Sequence, residues 1–448
     1  MRYRLRTRIM ARACGFQPTA LAAEGPSGSQ RSQRRNLLPY NVRVQILVSA
    51  GEASGEMYGA QLIEALRRAA EKKAVEPGSA ASPGPAQLKR PATVSTGEIS
   101  FFGVGGDRMR AAGCETVVDA SDLSVVGITE ILSHLPKIYG LYRHLIRETD
   151  KRHPDLAIVI DSPAFNWRVA RLMKGRGVQT VYYVAPQFWA WRQGRVRLIR
   201  DYIDKALVIF PFEEKFYRDR GVDATFVGHP LAELPQPAMG RDEYAARFNL
   251  DPAKHWITLM PGSRMKEVRM NMPATLESAA KLGSGYEFLL PVAPTLERGW
   301  VAKLVDTGRI TFVPESLPAL HHSRAGIIAS GTATVEAAMM NTPFVMVYRV
   351  SPLTYLMGRP RVKIPHFAMV NLIAGREVVP ELVQSDFTAS NVIVRLNEIL
   401  PDGPVREQML QGFAQVKARL RAPAGSGEKT RHPADRAAEI ILSLVPGR

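Results

Sequence analysis

Short apolar, β-branched runs, each ending in small residues and then giving way to helical spacing, constrain this chain more than any other feature. The first is Val42–Val48 (VRVQILV), which stops abruptly at SAGEASGE. Met57, Leu62, Ala65, Leu66 and Ala69 then recur at helical intervals over Met57–Ala70. Strand, glycine-bearing turn and helix in that order open a doubly wound α/β unit. Further strand-like runs lie at Ile99–Val104, Leu156–Ile160, Gln179–Val184 and Ala206–Phe210. Around HPLAELPQPAMGRDE (229–243) the pattern breaks on three prolines, as an interdomain hinge would. A second series follows at Trp256–Met260, Glu287–Leu290, Arg309–Val313, Gly326–Ala329 and Phe344–Val347. Strands that alternate with helices in both halves predict an α/β protein of two Rossmann-like parallel-sheet domains facing across a cleft.

The expected organisation is a basic tail over 1–40, a first domain over 41–230, a second over 231–420 and a helical tail over 421–448. A Pro/Gly/Ala/Ser-rich insertion occupies 74–98. A length of 448 residues suits two large domains. Eight arginines against one glutamate put +7 of the formal +17 into residues 1–40, leaving +10 for the rest. That residue of charge favours acidic partners: phosphates, nucleic acid or an anionic membrane surface. The tail is Arg-rich like an organellar targeting segment and lacks a secretory apolar core; a disordered basic tail fits it as well. Cys14 and Cys114 are the only cysteines, so a disulfide framework is excluded and a reducing compartment is expected. No apolar run reaches the ~18–20 residues of a membrane-spanning helix.

Parallel sheets bind ligands at the carboxyl ends of their strands, which directs attention to three turns. In SGTATVEAA, the small residues Ser330, Gly331 and Thr332 let backbone N–H groups approach an anion at a helix start. Glu336 falls one turn further in, where it can accept from a ribose diol; an ordinary capped helix would look the same. In MPGSRMKEV, Gly262 and Ser263 can open a phosphate-facing turn, with Arg264 and Glu267 beside it. A surface arginine on a loop is the plainer alternative. In LAIVIDSPAFNWR, Asp161 leaves a buried strand and is placed to remove a proton from a substrate hydroxyl, or merely to form the turn before Pro163. Glu52 and Glu56, in the first strand–helix turn, are the reserve carboxylates.

Two surfaces suit an acidic, partly apolar partner. Phe188, Trp189 and Trp191 stand beside Arg192, Arg195, Arg197 and Arg200. Leu123–Ile146, which includes Val125, Val126 and Ile128, is rich in Leu, Ile and Tyr and reads as an amphipathic surface or as a core helix. Several motifs fail. GVGGDR at 103–108 carries Arg108 where a dinucleotide fingerprint needs its third glycine, and there is no P-loop, H-E-x-x-H, C-x-x-C or Asp-x-Asp. Nine scattered histidines indicate no metal site.

Taken together, SAGEASGEMYGAQLI (49–63), FFGVGGDRMRAAGCE (101–115), VVGITEIL (125–132), VIDSPAFN (159–166), YVAPQFWAWRQGRV (183–196), FPFEEKFY (210–217), FVGHPLAE (226–233), LMPGSRMKEV (259–268), ASGTATVEAA (329–338), YRVSPLT (348–354) and VNLIAGREVVPELVQ (370–384) resemble the lipid A disaccharide synthase family. The resemblance runs from about Val44 to about Val383. It implies a GT-B architecture, inversion at the donor carbon, and neither a cofactor nor a required metal. The implied substrates are UDP-2,3-diacylglucosamine and 2,3-diacylglucosamine 1-phosphate (lipid X). The implied location is cytoplasmic, peripheral on an anionic inner membrane, with no nucleic-acid partner and a homodimer left open. By position, Asp161 matches the family's candidate general base, and Arg264, Glu336 and Asn371 match donor-side residues. Two departures stand out: Ala164 replaces an Asp that many relatives carry, and Glu56 stands where Asp is usual. The alternatives are another UDP-N-acetylglucosamine enzyme of this architecture (a peptidoglycan glucosaminyltransferase or a 2-epimerase) and, on the pI of 10.0, a basic nucleic-acid-binding protein.

Overall fold

The computed structural model describes residues 44–51, 53–75, 99–123, 128–305, 308–362, 364–423 and 431–445, with the side chains of 53, 73–75, 123–135 and 361 also outside the description. Residues 1–40, Glu52, Val125, Val126 and nearly all of the 74–98 insertion therefore lie outside the described residues, as does the side chain of Ile128.

Thirteen parallel strands form two sheets among the described residues. The first contains β1 (Val44–Ala50), β2 (Ile99–Gly105), β3 (Cys114–Asp119), β4 (Leu156–Ile160), β5 (Gln179–Tyr183), β6 (Lys205–Val208) and β7 (Ala224–Phe226), in the order β3-β2-β1-β4-β5-β6-β7. The second contains β8 (His255–Met260), β9 (Tyr286–Pro291), β10 (Ile310–Val313), β11 (Ala325–Ala329), β12 (Phe344–Tyr348) and β13 (Glu381–Val383), in the order β10-β9-β8-β11-β12-β13. Both orders reverse direction once, at β1/β4 and at β8/β11. The predicted α/β class with two Rossmann-like sheets is what is found. A doubly wound sheet opens a crevice where its order reverses, and all three turns singled out above follow a strand at one of these two points.

Strand alternation explains how the front sheet is held. Ile46, Val48 and Ala50 face one apolar cluster, while Leu47 between them faces another on the opposite side of the sheet. The first cluster continues into the rear sheet through Phe210, Val227 and Ala232 to residues such as Ile257 and Ile327. The two sheets thus share apolar packing where the chain crosses between them.

Three strands were not anticipated. β3 reads CETVVD, too polar to announce itself; β7 and β13 have three residues each and lie at sheet edges. At Ala206–Phe210 the expected strand stops two residues early. The N–H groups of Ile209 and Phe210 donate to the Glu213 carboxylate instead of to a neighbouring strand (3.2 and 3.0 Å). Glu213 is fully buried, and burial pushes its pKa up to about 7 against the pull of those donors and of the Trp189 indole N–H. The expected hinge contains a short 3-10 turn, Pro230–Glu233, and by Arg241 the chain is helical again (Arg241–Phe248). At the far end, the helix Pro433–Leu444 packs on the front-sheet helix Ala53–Val75, with Arg68 and Asp435 paired at 2.7 Å.

The two crossings meet at His229. Its backbone N–H donates to Leu420 O at 2.9 Å, and Arg421 pairs with Glu233 at 3.2 Å. The His229 ring is buried, with Nδ1 accepting from the Leu231 N–H at 3.0 Å and the ring centroid 4.8 Å from that of Phe210. Burial drives its pKa down to about 3. Below the ordinary histidine pKa of about 6.5 the unfolded chain takes a proton that the folded one refuses, so stability contributed here falls as pH drops from about 6.5 towards 3. Asn at 229 can keep the acceptor for Leu231 without titrating. Thermal or urea unfolding of His229→Asn should therefore lose less stability per pH unit between 6.5 and 4.5 than the parent, by about 1.4 kcal/mol per unit. Parallel pH profiles for the two proteins would contradict this.

Candidate functional site

The front turn departs from regular backbone at two consecutive residues. Asp161 has φ 48° and Ser162 φ 43°, both left-handed and neither glycine. Such a conformation costs ~1–2 kcal/mol per residue and persists only where its surroundings impose it. Pro163 contributes, because the residue before proline avoids the right-handed helical region and proline itself suits the first turn of the helix Pro163–Gly175. The larger constraint is Asn166, which is fully buried. Its Nδ2 donates to Ile160 O and Asp161 O (both 2.8 Å) and to Ser49 O (3.2 Å), and its Oδ1 accepts from the Ser49 hydroxyl at 2.7 Å. The Tyr182 hydroxyl adds a 2.6 Å bond to Asp161 O. The backbone carbonyl of Asp161 is thus tied down while its carboxylate stays half-exposed and, among the described residues, accepts a hydrogen bond from the Ser54 hydroxyl at 3.2 Å.

Glu56, one of the two reserve carboxylates, is engaged elsewhere. Its Oε1 accepts the Arg108 N–H at 2.7 Å and so caps the helix Asp107–Ala111. The other, Glu52, lies outside the described residues.

The rear turn after β8 is built around Gly262, whose φ of +135° few side chains adopt, and where a Cβ would lie 2.6 Å from that of Glu267. Glu267 accepts from the Ser263 N–H (3.1 Å) and pairs with Arg264 (3.1 Å). The Arg264 side chain is 78% exposed. An ion pair this exposed is worth ~0.2–1 kcal/mol, so Arg264 is free to trade it for a better anion. Beneath the turn, buried Asn271 donates to Pro261 O at 2.8 Å and accepts from the Arg349 N–H at 3.0 Å, and so joins the ends of β8 and β12. Tyr348 lies close enough for the Glu267 charge to raise its hydroxyl pKa and Arg264 to lower it, though burial is the larger cause of the net rise.

The second rear turn follows β11. The Ser330 hydroxyl donates to Phe367 O at 2.7 Å. Gly331 has φ +139° with open space where a Cβ would stand, and Thr332 is exposed at the start of the helix Ala333–Met339. Glu336 accepts from the Ser316 hydroxyl at 2.9 Å, and burial holds its pKa above the usual carboxylate value.

Tyr58 lies within electrostatic reach of carboxylates on both sheets. Burial pushes its hydroxyl pKa up to about 12, and the next contributions come from the negative charges of Asp161 and Glu336. One phenol on the front helix Ala53–Val75 therefore senses a carboxylate from each sheet. The 3-10 turn Pro230–Glu233 also packs on the helix that carries Glu336.

Two of the expected contact residues are used for structure. Asn371 is buried without exposure: its Nδ2 donates to Val379 O and Glu381 (both 2.8 Å) and its Oδ1 accepts the N–H groups of Val378 and Val379. It reaches the donor side only through others, since Glu381 also accepts the Phe367 N–H, and Phe367 O in turn receives Ser330. Trp189 is likewise turned into the core, its Nε1 donating to Glu213 at 2.8 Å and its ring edge-on to Phe212. Trp191, Arg192 and Arg195 are exposed, with the Arg192 guanidinium 4.2 Å above the Trp191 ring. Sequence reasoning missed Asn166, Asn271, Glu381 and Tyr58. The first carried a readable signal, a lone polar residue on the apolar face of the helix that follows a site turn; Asn271 shares its buried face with Thr275 and Ser278 and does not stand out in that way.

Comparison with known proteins gives a consistent result. Residues 46–424 match the family described as lipid-A-disaccharide synthetase. The lipid-A-disaccharide synthase of Koribacter versatilis is 49% identical, over 90% of this chain and 99% of its own. That of Acidobacterium capsulatum is 47% identical, over 85% and 93%, and that of Geobacter sulfurreducens 39%, over 90% and 98%. Among solved structures, a calicheamicin glycosyltransferase superposes with a TM-score of 0.54 at 15% identity, covering 90% of this chain and all of its own. A UDP-N-acetylglucosamine 2-epimerase homologue from Listeria monocytogenes gives 0.55 at 12%, over 90% and 96%. At those identities the likeness concerns the two-sheet fold alone. The sequence match, which spans both sheets and all three turns, goes further: the chain belongs to the lipid-A-disaccharide synthetase family.

Proposed function

We propose that this chain joins two acylated glucosamines, transferring 2,3-diacylglucosamine from UDP to the 6-hydroxyl of 2,3-diacylglucosamine 1-phosphate. The observation that carries this reading is the Asp161 turn: a half-exposed carboxylate held at the front switch point, in a chain whose family match spans both sheets and all three turns. In the proposed step Asp161 accepts the proton of the acceptor hydroxyl as that oxygen forms its bond to the donor anomeric carbon. The bond from that carbon to the UDP oxygen breaks on the opposite face, and its electron pair leaves with UDP. One displacement inverts the centre and passes through no covalent intermediate with the protein.

The departing diphosphate gains charge, and two rear features suit it. Arg264 is exposed and weakly paired, and the turn after Ser330 presents the backbone N–H groups of Gly331 and Thr332, with open space beside Gly331. Preorganised donors of this kind act most where charge develops. Glu267 already occupies the Ser263 N–H, so a phosphate at that turn competes with it or draws Arg264 away. Arginine and amides together supply the positive field that some glycosyltransferases take from a metal ion.

The division of labour follows from position: acceptor on the front sheet (41–230), nucleotide on the rear (231–420), with closure about 229–243 excluding water. Acyl chains extend beyond a cleft of this kind, so the rim meets lipid. Among the described residues no helix is long and apolar enough to cross a membrane. We assign the front contact to Leu123–Ile146, where Tyr139 is exposed, and to the strip of Trp191, Arg192, Arg195, Arg197 and Arg200.

Asp161→Asn keeps the size of the side chain and removes the base. Turnover with the acylated donor and acceptor should fall about 10²–10⁴-fold while UDP affinity, measured by calorimetry, stays within about twofold of the parent. Near-normal turnover would remove Asp161 from the mechanism. For Arg264→Ala the expected loss is about 10²–10³-fold in kcat, with unacylated UDP-N-acetylglucosamine turned over by neither protein. Consumption of that unacylated sugar by the parent would favour the epimerase or peptidoglycan reading.

A further inference from the structure

The helix Pro163–Gly175, which begins at the Asp161 turn, carries a basic face that the proposed step leaves unused. Arg168 and Arg171 stand three residues apart and so project from one side of it, and Arg176 follows at its end. All three are exposed, and together with Tyr142, Trp167 and Leu172 they line a cavity of about 440 Å³.

The charge in this cavity is poorly balanced. Arg176 pairs with Asp150 at 2.7 Å. Arg168 has no carboxylate partner among the described residues: its guanidinium donates to Ala164 O and lies 4.7 Å from the centre of the Trp167 ring. Arg171 makes neither a hydrogen bond nor an ion pair among the described residues. Tyr142, from the helix Ile128–Arg152, joins the two walls. Its hydroxyl donates to Arg168 O at 3.3 Å, and its ring meets Phe165 edge-on with centroids 6.2 Å apart. Burial raises the pKa of that hydroxyl, and Arg176, Arg168 and Arg171 each pull it down, so one phenol lies in the field of all three guanidiniums.

A planar guanidinium binds phosphate through paired N–H donors. A cavity of this size suits one compact phosphate on a small carrier, rather than the extended polyanion that a basic groove tracks. Position selects which phosphate. The donor diphosphate is assigned to the rear turns, so the acceptor is the substrate that brings a phosphate to the front lobe. Its 1-phosphate and its 6-carbon are attached to the two carbons that flank the ring oxygen, so a site for that phosphate must lie within about one sugar ring of the base. Arg168 suits this by its place in the chain: it sits in the second turn of the helix that Asp161 precedes, and its side chain folds back to Ala164, three residues from Asp161.

We propose that Arg168 and Arg171, with Tyr142 beside them, form the subsite for the phosphate monoester of the acceptor and so select the sugar that presents its 6-hydroxyl to Asp161. Arg176, held by Asp150, adds positive field without contact. The proposal rests on the acyl-sugar reading and adds to it the residues that favour a phosphorylated acceptor.

The test compares two acceptors dispersed in detergent, 2,3-diacylglucosamine 1-phosphate and the same diacylglucosamine without its phosphate, each with the acylated UDP donor. The parent should prefer the phosphorylated acceptor in kcat/KM. In the double variant Arg168→Gln, Arg171→Gln that preference should fall about 10–100-fold, through a higher KM for the phosphorylated acceptor. Donor KM, kcat and turnover of the unphosphorylated acceptor should stay within about twofold of the parent. Arg171→Gln alone, which breaks no internal bond, covers the case of a double variant that fails to fold and should lose about tenfold of the preference. An active variant with the parent's preference overturns the proposal. An equal loss on both acceptors overturns it too, because the arginines would then be structural. So does an unchanged preference with lost flotation on phosphatidylglycerol vesicles, which would assign the arginines to bilayer phosphates. A parent that turns over neither acceptor refutes the acyl-sugar reading itself, and the subsite falls with it.

Discussion

The side-chain amide of Asn166 holds the arrangement on which the rest depends. Two consecutive non-glycine residues in the left-handed region cost ~1–2 kcal/mol each, and a free segment reading IDSPAFN would relax. Four hydrogen bonds made by one buried amide, each worth a net ~0.5–1.5 kcal/mol, offset that cost, and the Tyr182 hydroxyl adds a second bond to the Asp161 carbonyl that one of the four reaches. The bonds also reach across to Ser49 at the end of β1. The two strands that flank the front switch point are therefore clamped to each other at the place where the aspartate emerges. Strain confined to a turn that presents a carboxylate has a functional reading, and here the observed backbone outliers come first and the function follows from them.

The rear sheet solves the complementary problem, presenting positive field to a charge that appears only during reaction. It does so with few buried charges. Arg264 is exposed and loosely paired, the Ser330–Thr332 turn contributes backbone dipoles, and the scaffold beneath each turn is a buried asparagine (Asn271 below one, Asn371 with Glu381 behind the other). Asparagine suits this work because it can donate and accept at once without the desolvation cost of a charge. Front and rear turns are thus supported in the same way, by amides that satisfy strand-end carbonyls and N–H groups and leave the outward side chains free.

Much of this was legible in the residues. Central strands buried on both faces are continuous apolar runs, so β1, β4, β5, β8, β11 and β12 announce themselves, and each site turn begins where such a run meets small residues. The edges were not legible. β3 is half polar because one side of it faces solvent, and three-residue strands such as β7 and β13 fall below any periodic signal. The inward turn of Trp189 and the burial of Asn371 could not be read locally either. Each depends on a distant or offset partner, Glu213 for the indole and the strand-end residue Glu381 for the amide. His229 looked like part of a proline-rich hinge. Its buried ring at the meeting of two chain crossings is a property of topology, which no window of sequence contains.

The central claim is geometric: an acceptor hydroxyl meets Asp161 while the nucleotide diphosphate lies on the rear turns. A crystal structure with UDP and a non-reactive acylated acceptor tests it most directly. The account predicts the acceptor 6-oxygen within hydrogen-bond reach of the Asp161 carboxylate, about 2.6–3.2 Å, and diphosphate oxygens on the Arg264 guanidinium and the Gly331 and Thr332 amides. A diphosphate bound away from both rear turns, or an acceptor oxygen that contacts another base with Asp161 facing solvent, would contradict it.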